Sequence, residues 1–162
     1  MNDSATLSTQ LKEQEYIDPA MISSSLEFWF TDNEHVRSPF PERIREELAT
    51  SATATILSWA SKISDDTKKE YNDAALAERF EEVLFEIALT LVSDPDEKIT
   101  MRYPFMPRVG DVINRKDNPE IQGTAIIISR KIEKRGDFAF MVVEHKDEVT
   151  GVVVVDEFEL PE

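Results

Sequence analysis

Carboxylates are the reactive groups this chain holds in greatest number. Among 162 residues, 33 are Asp or Glu against 18 Lys or Arg, with two histidines and no cysteine. A carboxylate pair can serve as acid and base, but a chain this rich in them offers such pairs everywhere, so abundance alone designates no catalytic pair. The lack of cysteine removes disulfides, thiolate metal sites and thiol nucleophiles. His35 and His145 stand far apart and show no ligand spacing such as a helical i, i+4 pair. His35 neighbours Asp32 and Glu34, and His145 neighbours Glu144 and Asp147; both read as surface histidines. Asp94, Asp96 and Glu97 look like the start of a cation loop. A twelve-residue calcium loop, however, needs glycine at its sixth place and glutamate at its twelfth, and counting from Asp94 those places hold Ile99 and Phe105. The glycines at 110, 123, 136 and 151 each border a strand or turn, and neither a phosphate-cradling loop nor a Gly-x-Ser-x-Gly elbow occurs. These absences predict a protein that is not an enzyme and holds no metal or cofactor.

What remains is electrostatic. The net charge is −15, and it is unevenly spread: residues 1–99 carry 9 basic and 21 acidic side chains, a balance of −12, while residues 100–162 carry 9 and 12, a balance of −3. A field of that sign repels phosphate backbones and attracts a basic partner. Its densest part is a ridge at helical spacing, Glu78, Glu81, Glu82 and Glu86, with Asp65, Asp66 and Asp73 flanking it. Like charges one helical turn apart cost a few tenths of a kcal/mol each, which a solvated face tolerates and a binding face exploits. The opposite charge collects in Arg102, Arg108, Arg115, Lys116, Arg130, Lys131, Lys134 and Arg135. With Tyr103, Phe105 and Phe138 between them, these could form a single-stranded nucleic-acid platform. The same half still sums to −3, which argues against nucleic acid as a partner.

The elements that carry these groups follow from apolar periodicity. Residues 1–18 read as a polar tail or frayed helix. Ile22, Leu26, Trp29 and Phe30 share one face of a short helix after Asp18-Pro19; its aromatic run, Phe28-Trp29-Phe30, reads as a core anchor, or else as a partner-binding hot spot. Pro39 and Pro41 punctuate a loop. Ile44, Leu48, Ala52, Ile56, Trp59 and Ile63 then form a long amphipathic stripe. After the capping turn Ser64-Asp65-Asp66-Thr67, a helix from Thr67 or Asp73 to Val92 carries Tyr71, Leu76, Phe80, Val83, Leu84, Ile87 and Leu91 inward. Ser93-Asp94-Pro95-Asp96 reads as the end of the helical part, and Lys98 to Tyr103 as a short strand or extended linker.

From Arg108 onward the pattern changes to β. Three apolar runs, 125–128, 138–143 and 152–155, are separated by turns at Arg135-Gly136-Asp137 and Lys146 to Gly151. These features predict an α+β protein in which three or so N-terminal helices pack on a C-terminal antiparallel meander of four to five strands, an SH3-like small barrel or a twisted sheet. The expected divisions are 1–18, 19–96 and 97–162, with the last two forming one compact unit. No run approaches the ~20 apolar residues of a membrane span, and the N-terminus lacks the pattern of a signal peptide, so a cytoplasmic protein is expected. The function expected from these features is an acidic protein-binding module, an inhibitor or immunity-type protein that neutralises a basic toxin or nuclease. Two alternatives stand beside it: an adaptor or structural component of a phage- or secretion-related assembly, and a small-ligand or nucleic-acid-binding barrel using Arg108, Arg115, Lys116 and Arg130.

Overall fold

The computed structural model describes residues 16–114 and 124–161 of the chain. The tail read at 1–18 lies outside them except for its last three residues, as do Arg115, Lys116 and Gly123. The architecture is α+β: among the described residues, five α-helices precede a curled four-stranded antiparallel meander. The chain divides into two compact units, Met1–Pro104 and Phe105–Glu162.

In the first unit, α1 (Pro19–Trp29) starts at Asp18, whose carboxylate accepts from the Ala20 N–H, with proline in its first turn. A 3₁₀ turn (Glu42–Ile44) leads into α2 (Arg45–Lys62). Of the two starts read for the long helix, Asp73 is the one that forms, and a separate short helix stands before it. Ser64 caps the short α3 (Asp65–Glu70), and Asn72 caps α4 (Asp73–Leu91). The apolar stripes of α2 and α4 enter one buried cluster that includes Leu48, Ala52, Ile56, Phe80, Leu84 and Ala88, all with no exposed surface. Each fully buried large apolar side chain contributes about 1.5–3 kcal/mol, so this cluster is the main source of stability in the unit.

Residues 95–102 depart from the sequence reading. They form a helix, α5 (Pro95–Arg102), not a strand or linker. Asp94 is its N-cap, accepting from the Asp96 N–H at 2.9 Å, and Pro95 occupies the first turn. Asp-Pro, which reads as the end of one helix, also has the chemistry that starts another: a side-chain acceptor for a free N–H, then a residue with no N–H to satisfy. Met101 is buried and ties α5 into the cluster. The three carboxylates that suggested a cation loop are thereby accounted for. Asp94 caps, Asp96 lies in the first turn, and Glu97 pairs bidentately with Arg43 at 2.5 and 2.8 Å.

In the second unit, β1 (Val112–Asn114), β2 (Thr124–Arg135), β3 (Phe138–Asp147) and β4 (Val153–Glu159) pair in sequence order. The β2–β3 hairpin closes on Gly136 and Asp137, with Gly136 at φ +63°, a conformation that glycine takes without penalty. A β-bulge interrupts β2: Ile127 opposes His145, and Ser129 opposes Glu144, leaving Ile128 as the extra residue. The phase of the strand flips there. Ala125 and Ile127 face the buried side before the bulge, and Arg130 faces it afterwards. On β3, the buried side takes Met141, Val143, His145 and Asp147.

His145 is accordingly not a surface histidine. It has no exposed area, and its Nε2 lies 2.7 Å from Oδ2 of Asp156 on β4. Alternation decides this: it lies two residues from Val143, and Val143 is core. Asp147 is buried as well, its Oδ1 accepting from the N–H groups of Val149 and Thr150. His35, in contrast, is exposed as expected.

Candidate functional site

Helix α4 determines where the acidic side chains point. At roughly 100° per residue, Leu76, Phe80, Val83, Leu84 and Ala88 occupy the buried side. Glu78, Glu81, Glu82 and Glu86 project from the other, and all four are exposed. Three of them, Glu78, Glu81 and Glu82, converge with Phe85 on an open groove of about 520 Å³.

Phe85 changes the character of this face. Its ring meets Trp29 edge-on at 4.9 Å and Phe40 at 4.9 Å. Trp29 in turn meets Phe28 at 5.0 Å, and Phe30 meets Phe40 at 5.4 Å. The groove therefore has acidic walls and an aromatic side that continues into a five-ring cluster. Trp29 and Phe30 are half-buried in that cluster, the anchoring role read for them, while Phe28 keeps 46% of its surface exposed.

The charges in the groove are close enough to disturb one another. Partial loss of solvent raises the Glu81 carboxyl above its ordinary range, and the charges of Glu78 and Glu82 add to the rise. Glu82 has a counter-ion: Arg79 Nη1 reaches its Oε2 at 2.8 Å, while the same guanidinium lies 5.6 Å from the Trp59 ring centre. A cationic group entering the groove would meet the partly desolvated Glu81 carboxyl, its neighbours Glu78 and Glu82, and the aromatic side chain of Phe85.

The flanking aspartates are placed elsewhere. Asp65 and Asp66 are exposed in the first turn of α3, and Asp73 in the first turn of α4, where negative charge complements the helix dipole. Asp73 lies eight residues before Glu81, about 12 Å along the axis at 1.5 Å per residue. It lines a separate cavity of about 230 Å³ with Tyr16, Asp18, Met21 and Leu76. Glu86 continues the ridge by one turn but does not line the groove. Phe85 was absent from the residues singled out in the sequence, although a large apolar side chain between Glu82 and Glu86 was a usable signal.

The basic strip does not form one platform. Arg130 is buried on one side of the sheet with Nη1 donating to the Pro107 carbonyl at 2.8 Å, and Lys131 is exposed on the other. Arg135 is held by Glu157 at 2.5 and 2.8 Å and by Glu133 at 3.2 Å. Among the described residues, no group of three His, Cys, Asp or Glu side chains could hold a metal, and no helix is long and apolar enough to cross a membrane. No protein-family model matches the chain, and comparison with curated proteins and with solved structures finds no significant match.

Proposed function

We propose that this protein is a non-enzymatic binding module whose acidic α4 face docks a basic protein partner, in the manner of a cytoplasmic inhibitor or immunity protein that neutralises a toxin or nuclease. The observation that carries the reading is the groove itself: Glu78, Glu81 and Glu82 beside Phe85. Rim charges steer encounter and set specificity, and buried aromatic anchors supply most of the binding energy at protein interfaces. Here the two lie side by side, and the aromatic anchor is already braced by Trp29 and Phe40. The net charge of −15 extends the attraction beyond the contact itself.

The test is a triple charge reversal, Glu78→Lys with Glu81→Lys and Glu82→Lys, measured against basic partners captured at low salt. A genuine partner binds the unaltered chain, loses at least about 2 kcal/mol of affinity to the reversal, and perturbs backbone resonances of residues 78–86 on binding. A partner that binds both chains equally, or perturbs other residues, removes the reading. Phe85→Ala separates the aromatic contribution from the charge: the expected loss is one of affinity with little change in salt dependence.

A further inference from the structure

A second surface in the molecule is built for contact by different means. Strand β4 stands at the end of the sheet order, with β3 as its neighbour among the described residues. Two backbone bonds set the phase of its ladder: Asp147 N–H to the Val152 carbonyl at 2.9 Å, and Leu160 N–H to the Ala139 carbonyl at 2.8 Å. Antiparallel pairs alternate between bonded and non-bonded, and the β3–β4 register runs without interruption from Phe140↔Glu159 to Lys146↔Val153. The even-numbered residues of β4 therefore turn their backbone groups to β3. The odd-numbered ones, Val153, Val155, Glu157 and Glu159, turn theirs to the open edge.

Those four side chains also share the exposed side of the sheet, and Val153 and Val155 are 47% and 53% exposed. Natural edge strands are usually blunted by charged side chains, proline, a bulge or shortness. The seven residues of β4 contain no proline and their pairing shows no bulge; the strand's charges, Asp156, Glu157 and Glu159, all lie in its second half, which leaves the Val153 to Val155 end unguarded. The carboxylates that remain on this edge say what fits it. Glu157 is held by Arg135, Glu159 is exposed beyond it, and Glu144 stands exposed behind Val155 on the same side. A second copy of this chain would bring another −15 and a matching row of carboxylates to the contact.

We propose that β4 is a strand-addition site for an extended segment of a partner chain, apolar where it faces Val153 and Val155 and carrying Lys or Arg where it faces Glu159. Main-chain hydrogen bonds then supply affinity, and alternate side chains supply selectivity. This inference does not depend on the acidic groove of α4.

The probe is a synthetic seven-residue peptide, Lys-Thr-Lys-Thr-Val-Thr-Val, together with the same peptide N-methylated on the alternate amides that would bond β4. The full chain is observed by amide exchange and backbone resonances. The parent peptide is expected to slow exchange at Val153 and Val155 by at least about tenfold, the equivalent of one net hydrogen bond. The methylated peptide, with the same charge and side chains, should lose that protection. Val155→Pro should abolish binding while preserving the β3–β4 ladder, because the amide it removes points outward. Glu81→Lys should bind the parent peptide as the unaltered chain does. Four outcomes overturn the proposal: no binding at millimolar peptide, equal binding of the methylated form, shifts centred on Glu78 to Phe85, or concentration-dependent protection of β4 without peptide.

Discussion

Two glutamates in this molecule titrate in opposite senses. In the groove, Glu81 is raised by partial burial and by its acidic neighbours. On the sheet edge, the bidentate Arg135 contact lowers Glu157 below its ordinary range. The signs of their contributions follow. A raised carboxyl favours folding below its unfolded value and loses that contribution as pH rises through the folded value, so ionised Glu81 is a cost at neutral pH. A lowered carboxyl stabilises above its unfolded value and loses that contribution as pH falls through the folded value. Carboxyl-carbon titration should place Glu81 above and Glu157 below the ordinary glutamate value of about 4.3. Glu81→Gln should be the more stable chain at pH 7 by a few tenths of a kcal/mol after solvent screening, and the difference should fade on acidification toward pH 4. Glu157→Gln should be the less stable chain at pH 7. Denaturant midpoints at the two pH values check both. A bound cation also favours ionised Glu81, so partner affinity should rise with pH across the same range.

At the scale of elements, the buried faces of α2 and α4 govern stability in the first unit. Phe80→Ala should cost about 3–5 kcal/mol, as truncation of a fully buried aromatic does, and Asp94→Ala about 1 kcal/mol through loss of the α5 cap; urea melts read both. The long helices were legible because their stripes persist over many turns, and Ile44 to Ile56 and Leu76 to Leu84 are buried as spaced. Helix α5 was not, since a cap followed by proline reads alike as a stop and as a start. In the β unit the runs were legible and their phase was hidden. Ile126-Ile127-Ile128 and Val152 to Val155 are apolar at every position, so alternation could not say which side is buried. The bulge at Ile128 conceals it further by turning Arg130 inward, and the burial of His145 is hidden because the β3 run before it, Phe138 to Val143, is apolar at every position, so the sequence does not say that Val143 is on the core side. The candidate site was half legible: the i, i+3 and i+4 spacing of Glu78, Glu81 and Glu82 brings them together, while the flanking Asp73, about two turns earlier on the same helix, lines a different cavity.

At the scale of the whole molecule, charge acts at a distance. With −15 on the chain, association with a basic partner should be fast at low salt and slow steeply as ionic strength brings the screening length toward about 8 Å. Stopped-flow rates across a salt series should show most of the change in the forward rate. The same charge has a colloidal consequence for the valine edge of β4. Repulsion between like molecules keeps such edges apart at neutral pH, and it vanishes near the isoelectric point of about 4.5. The molecule should therefore show a sharp solubility minimum there, with turbid, thioflavin-positive material seeded by edge-to-edge pairing. Val155→Lys should remain clear through that window, while a lysine at exposed Phe28 should not rescue it. Storage near pH 4.5 is then a condition under which this chain should be lost from solution.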